Sequence, residues 1–248
     1  MVGARSLRKP TTAPALLAVL ALLLGCGHSA AAPKAAHLSN GESCGRLVAL
    51  TFDDGPNPPF TQQIVQILES SGVKATFFVE GQAAEAHPEV VKLVDAAGMD
   101  VESHSYSHSE ELATEDAADF RSDLDAGTAA LEGILGRQPR LYRPPFGNTS
   151  DVMLRELGAA GFTSIGWDVD STDWEETDPS KIIDAVLSQV HPGAIVLMHD
   201  GGLSGGNPDR TATIQALPAI VAGLAERGYE MKTVSEIIDP AVCNSTGS

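Results

Sequence analysis

The stretch RLVALTFDDGP, residues 46–56, decides the fold. Apolar residues fill consecutive positions from Leu47 to Leu50, as in a strand covered on both faces, and such strands belong to parallel sheets flanked by helices. Two carboxylates follow, Asp53 and Asp54, and then Gly55 and Pro56, which end a strand. Neighbouring side chains on a strand point to opposite faces, so both aspartates reach one pocket only if the strand stops there. The same theme repeats along the chain. Extended runs lie at KATFFV 74–79, MDVES 99–103, RLYR 140–143, TSIGWDV 163–169, AIVLM 194–198 and YEMKTV 229–234. Helical patterns lie between them at 61–72, 117–136, 150–161, 178–190 and 211–228, the last with Pro218 as an interior blemish that would kink it. Strands alternating with helices imply parallel pairing, as a barrel or as an open doubly wound sheet. The chain has no glycine fingerprint for a dinucleotide, no phosphate loop and no internal repeat.

Composition sets outer bounds. The 248 residues suit one large domain or at most two small ones, and 43% apolar content rules out wholesale disorder. With 33 acidic and 16 basic side chains the formal net charge is −17, which argues against an electrostatic grip on nucleic acid or on an anionic membrane.

The N-terminus reads as an export signal over residues 1–25: Arg5, Arg8 and Lys9, then the apolar run LLAVLALLL at 16–24, then Gly25. The run is short of the ~20 apolar residues of a membrane span. LLGC at 23–26 resembles a bacterial lipobox, whose cleavage would leave Cys26 as a lipidated N-terminus; plain secretion and a retained anchor are the alternatives. Residues 26–43, rich in Ala and Ser, read as a flexible tether. One α/β domain is expected over 44–243, with a tail at 244–248. An exported chain meets an oxidising compartment, so Cys44 and Cys243, which bracket the domain, are expected to pair; two inert thiols are the alternative.

Polar residues cluster just past the strands. Asp53 and Asp54 follow LVALTF, His104 follows MDVES, Arg143 follows RLY, Asp170 follows IGWDV, and His199 follows AIVLM. In a parallel barrel those strand ends converge on one face, where active sites are built. Each cluster alone has a plain structural reading. DDGP makes a turn, RPPFG at 143–147 a rigid loop, and DSTDW at 170–174 a helix cap beside a packed indole. HSYSH at 104–108 puts two imidazoles four residues apart, on one face of a single helical turn. Two histidines and one aspartate leave a tetrahedral ion with an open position, the composition of a catalytic site.

The set TFDDGP 51–56, HSYSH 104–108, RPPFG 143–147, DSTDW 170–174 and LMH 197–199 resembles the polysaccharide deacetylases, the NodB-homology group of carbohydrate esterases (family 4), with all five motifs in the family's order. The resemblance continues through TVSEI at 233–237. It implies an α/β fold, a deformed (β/α) barrel in a single domain, and hydrolysis of N-acetyl or sometimes O-acetyl groups on a polysaccharide. By the same resemblance Asp54, His104 and His108 are the ligands of zinc, or of another divalent metal such as cobalt. Asp53 matches the catalytic base, and Arg143 the residue that orients it. The Phe146 N–H matches the oxyanion donor, with phenylalanine replacing the commoner tyrosine. Asp173 matches the carboxylate that tunes the general acid His199, and Trp174 and Leu197 match walls of the acetyl pocket.

The chemistry asks for these parts independently. An amide is a poor electrophile and an amine a poor leaving group, so the reaction needs a base for water, stabilisation of the oxyanion and an acid for the amine. The expected partner is an acetylated polysaccharide or oligosaccharide, with peptidoglycan and chitin-like chains foremost. Nucleic acid is not expected, a membrane only through a lipid on Cys26, and the chain is expected to be a monomer. Two other readings stay open: an O-acetyl esterase acting on xylan or another glycan, and a surface lipoprotein that binds metal or glycan without turnover.

Overall fold

The structure, a computed structural model, describes residues 1–3, 33–43, 45–202, 209–241 and 243. The chain divides into residues 1–31 and 32–248. Of the first unit only residues 1–3 are described, and the following account concerns the second. Beyond residues 1–3 the expected export signal lies outside the described residues, as do Cys26 and Cys44; Cys243 is disulfide-bonded.

Among the described residues nine strands form the sheet: β1 (His37–Leu38), β2 (Leu47–Gly55), β3 (Thr76–Val79), β4 (Asp100–Ser103), β5 (Leu141–Tyr142), β6 (Thr163–Ile165), β7 (Val169–Asp170), β8 (Ala194–His199) and β9 (Glu230–Met231). Every ladder is parallel, in the order β1-β6-β5-β4-β3-β2-β8-β7, with β9 beside the start of β2. The run that reads as one strand at 163–169 is cut in two, and its halves pair at opposite ends of that order. The backbone at 166–168 therefore bridges the gap, and the sheet curls into the deformed barrel that the sequence implies. Asp168 helps at this seam: its N–H donates to the Ile195 carbonyl (3.3 Å), and its carboxylate accepts from the Ile195 N–H (3.0 Å).

Among the described residues eight α-helices accompany the strands: α1 (Phe60–Ser70), α2 (Gly81–Ala86), α3 (Pro88–Ala96), α4 (Ala117–Leu135), α5 (Asp151–Ala160), α6 (Pro179–Gln189), α7 (Thr211–Glu226) and α8 (Val234–Ile237). Side chains begin several of them. Asp116 accepts from two backbone N–H groups at the start of α4, Ser150 caps α5, and Thr233 with Glu236 forms a capping box on α8. Helix α7 runs through Pro218 without interruption.

Both faces of the central strands are buried, which explains their unbroken apolar runs. Val48, Leu50 and Phe52 of β2 pack outward with Val196 and Met198 of β8, against Ile64 and Leu68 of α1 and Ile220 and Leu224 of α7. Leu47 and Ala49 point inward with Phe78, Leu141, Ile165 and Ile195, and Val234 and Ile237 plug that end. Alternation carries the inward row of β2 on to Thr51 and Asp53, and that of β8 on to Leu197 and His199. The barrel is thus apolar at its base and polar at the carboxyl ends of its strands.

Three local expectations do not hold. Residues 81–96, where no helical pattern is read in the sequence, form α2 and α3 in direct succession. The HSYSH segment forms no helical turn; the chain reverses at Ser105 (φ 69°) and His108 (φ 50°) instead. The second half of the expected tether belongs to the domain. β1 pairs with β6, Gly41 donates to the Gly193 carbonyl (2.8 Å), and Glu42 donates to the Ile237 carbonyl (2.8 Å). These are backbone bonds, which small residues make as well as any.

Because this strap covers the free edge of β6, its loss should be felt in stability. A chain beginning at residue 44 is expected to melt at least about 5 °C below one beginning at residue 33, since several net hydrogen bonds are lost at about 1 kcal/mol each. Thermal melts of the two proteins followed by circular dichroism check this; equal midpoints would contradict it.

Candidate active site

The site begins with an irregularity in β2. Its register with β8 is regular up to Asp53 opposite His199, but its register with β3 passes from Asp53 opposite Phe78 to Gly55 opposite Val79 and skips Asp54. Asp54 has φ 71°, the left-handed region that aspartate tolerates better than most residues. Asp53 stays on the inward row. Asp54, which a regular strand would aim at the helices, is turned toward the top of the barrel. The bulge is held from the neighbouring strand end: the N–H groups of Asp200 and Gly201 both donate to the Asp53 carbonyl, at 3.1 Å. Asp200 in turn accepts from the Thr61 hydroxyl (2.6 Å) at the start of α1. A Cβ on residue 55 would lie 2.0 Å from the Asp200 carboxylate, so only glycine fits there.

Asp54 Oδ1 lies 3.3 Å from Nε2 of His104 and 3.3 Å from Nε2 of His108. The two rings sit 4.9 Å apart. His104 Nδ1 is 2.7 Å from the Arg143 carbonyl and donates to it, which leaves Nε2 facing Asp54. One donor atom from each of the three residues falls within 4.8 Å of the others. Asp54 Oδ1 is buried and has no hydrogen-bond partner among the described residues. Burial opposes ionisation of Asp54, yet the two imidazoles hold its pKa well below the usual carboxylate range. Imidazole binds such an ion in its neutral form, so two imidazoles and a carboxylate converging on one point fit a divalent cation of the zinc type, which would take the place of the ring protons.

Asp53 is bound differently. Arg143, fully buried, donates from Nη1 to Asp53 Oδ1 (2.8 Å) and to Thr51 Oγ1 (2.6 Å), and from Nη2 to the Gly166 carbonyl (3.0 Å). Its guanidinium lies 4.1 Å from the centre of the Phe78 ring. The arginine thus occupies the barrel interior just above the apolar plug and fixes one oxygen of Asp53. Its carbonyl holds His104 at the same time.

On the β8 side, His199 Nδ1 lies 2.8 Å from Asp173 Oδ1, and the His199 N–H donates to Asp173 Oδ2 (2.9 Å). The Thr213 hydroxyl also donates to Oδ2 (2.8 Å), and Arg210 Nη1 donates to the Asp173 carbonyl (3.3 Å). Burial disfavours the charged imidazole, but the Asp173 carboxylate outweighs it and pushes the His199 pKa up to about 9. With Nδ1 committed to Asp173, Nε2 is the nitrogen left for the cavity.

Asp53, Asp54, His104, His108, Phe146, Trp174, Leu197 and His199 all line one cavity of about 400 Å³. Arg143 and Asp173 stand behind its wall. Phe146 has φ 58°, and its half-exposed ring packs against His108 at 4.6 Å; Trp174 is also half exposed. Pro144, Trp167, Asp170, Gly202 and Arg210 also line it; Asp170 is one of the strand-end polar residues read from the sequence, whereas nothing in the sequence marks Trp167 or Arg210 for the site. Arg210 carried no signal beyond its place in a glycine-rich loop. Its role is set by bonds to the Gly201 and Asp173 carbonyls, which no spacing reveals.

With this geometry in hand, comparison with known proteins is direct. Residues 40–165 match the family model for polysaccharide deacetylase. A chitooligosaccharide deacetylase of Sinorhizobium fredii is 35% identical over 194 residues, covering 76% of this chain and 90% of the relative. A peptidoglycan-N-acetylglucosamine deacetylase of Bacillus cereus is 32% identical over 197 residues, covering 78% and 88%. Among solved structures, a carbohydrate esterase family 4 pseudoenzyme from Bacillus anthracis superposes with a TM-score of 0.75 at 29% identity, over 82% of this chain and 69% of that one. The chain belongs to the polysaccharide deacetylase family.

If Asp54, His104 and His108 hold the ion, the protein should bind about one zinc per chain. His104→Ala and Asp54→Ala should each lower occupancy several-fold after dialysis. Elemental analysis checks this, and full occupancy in both variants would contradict the ligand set.

Proposed function

We propose that the protein is an exported, zinc-dependent deacetylase that removes N-acetyl groups from N-acetylglucosamine units of peptidoglycan or chitin-like oligomers. Family membership alone does not decide activity, since a similar structure is described as a pseudoenzyme. The observation that carries the reading is the division of labour between adjacent carboxylates. Asp54 faces two imidazoles, while Asp53 is held by Arg143 opposite the His199–Asp173 pair. A protein that only bound metal or glycan would have no use for the second carboxylate or for the acid pair. The substrate class follows the relatives, whose names specify chitooligosaccharide and peptidoglycan N-acetylglucosamine. The two half-exposed aromatic residues at the cavity, Phe146 and Trp174, suit the face of a sugar ring.

Asp54, His104 and His108 would hold the cation, which when bound supplies Lewis acidity toward the acetyl carbonyl and makes water more acidic. Asp53 takes the proton of the attacking water, and Arg143 keeps its carboxylate aimed. The Phe146 backbone N–H, carried on a reversed turn at the cavity rim, donates to the oxyanion. His199, protonated below pH about 9 through Asp173, delivers a proton from Nε2 to the departing amine. Base and acid stand on neighbouring strands in direct register, Asp53 opposite His199.

The direct test is release of acetate from N-acetylglucosamine oligomers and from peptidoglycan by the zinc-loaded protein. Asp53→Asn should retain zinc and lose ~10²–10⁴-fold in kcat, the span of general base catalysis. Release of acetate from acetylated xylan alone would overturn the substrate class, and near-normal activity of Asp53→Asn would overturn the base.

The pH dependence has a definite sign. The protonated form of His199 is the active one, so kcat/KM should fall as pH rises through about 9. Asp173→Asn removes the charge that raises this pKa, so the alkaline limb should move to lower pH as the maximum drops. A limb that stays in place would show that another group controls it.

A further inference from the structure

The reversed loop that carries both histidines is held by groups outside every motif above. Asp123, nearly two turns into α4, accepts from the Tyr106 N–H through Oδ1 (2.9 Å) and from the Ser107 N–H through Oδ2 (3.0 Å). On the other side of the loop, the first N–H groups of α2 donate to it: Gly81 to the Ser105 carbonyl (3.0 Å) and Gln82 to the Tyr106 carbonyl (3.1 Å). Inside the loop, the His108 N–H donates to Ser105 Oγ (2.9 Å). The approach of α4 is close enough that a Cβ on Gly127 would sit 3.1 Å from the Ser105 carbonyl group, and one on Gly81 would sit 3.1 Å from Tyr106 Cα.

These contacts have one geometric consequence. In an extended strand His104 and His108 would lie about 13 Å apart along the chain, at ~3.3 Å per residue. Here two left-handed residues fold the chain back, and the rings stand 4.9 Å apart. A left-handed serine and a left-handed histidine are each unfavourable and persist only where the surroundings over-determine them. Most of the loop's backbone partners are single N–H to carbonyl bonds, whereas Asp123 spans two successive N–H groups at the crest with one carboxylate. Charge-assisted bonds of this kind are the stronger ones.

We propose that Asp123 is a positioning residue for the metal site: its bidentate grip on Tyr106 and Ser107 sets the distance between His104 and His108 and so tunes the affinity of the cation they share with Asp54. The proposal rests on the zinc reading of that triad. Groups that orient metal ligands from behind typically change affinity by about 10–100-fold when removed, and that is the effect assigned to Asp123.

The test is a zinc titration of the full chain against a competing chelator, well below the melting temperature. It uses wild type, Asp123→Ala, Asp123→Asn, and Asp125→Ala as a control on the same helix whose carboxylate meets only Arg121. Zinc affinity should fall about 10–100-fold in Asp123→Ala and less in Asp123→Asn, which keeps one acceptor, while Asp125→Ala matches wild type. With the site filled by excess zinc, kcat should return to within a few-fold of wild type. The cobalt-loaded Asp123→Ala protein should show altered visible absorption bands. If wild type binds no zinc, the metal reading itself fails. If wild type binds zinc and both Asp123 variants bind it equally well, with unchanged cobalt spectra, the positioning role is overturned even where their melting temperatures fall. Should Asp123→Ala fail to fold, Asp123→Asn decides by the same affinity and spectral criteria.

Discussion

The bulge at Asp53–Gly55 is the constraint on which the rest of the site depends. A strand offers alternate faces to successive side chains, so two adjacent carboxylates in a regular β2 would be divided between the barrel interior and the helical layer. One left-handed residue removes that division. Asp53 remains on the inward row above Leu47, Ala49 and Thr51, and Asp54 swings up to the histidines. Two identical side chains then meet different surroundings, a buried guanidinium for one and two imidazoles for the other, and become suited to different chemistry. The bulge is also where the two halves of the proposed reaction are tied together. The backbone just after His199 donates to the Asp53 carbonyl, so the positions of base and acid are not independent.

Burial gives the arrangement its rigidity. Arg143 is enclosed in the barrel, and a buried charge without its partners costs several kcal/mol, roughly 3–5 when one member of such a pair is removed. It therefore holds Asp53, Thr51 and the Gly166 carbonyl together, while its own carbonyl orients His104. One residue just past β5 thus couples the base to a ligand and to the seam where the barrel closes. Asp173 does comparable work for His199, backed by Thr213 and Arg210 from the chain beyond β8.

Much of this was legible in the sequence. The consecutive apolar runs announced strands buried on both faces, and the polar clusters at their carboxyl ends announced a site on one rim. The parts that were not legible are those whose causes are not periodic. β1 is two residues long and is held by backbone bonds, so Ala35–Glu42 reads as a tether although it is part of the sheet. α2 and α3 are short and abut at His87, which blurs the spacing of Val90, Val91 and Val94. The HSYSH segment has the spacing of a helical turn, yet the clamp between α2 and Asp123 reverses it by other means. Arg210 and Asp123 act through backbone groups of partners distant in sequence or turned by tertiary contacts, and a linear pattern carries no trace of such bonds.

The account turns on the claim that neighbouring aspartates are split into one that binds the ion and one that does not. A crystal structure of the zinc-loaded protein, with anomalous data collected at the zinc absorption edge, tests this most directly. The ion should be held by an Asp54 oxygen and by Nε2 of His104 and His108, each at about 2.0–2.2 Å, with Asp53 outside its coordination sphere and still paired with Arg143. An ion ligated by Asp53, or one bound away from the two histidines, would contradict the account.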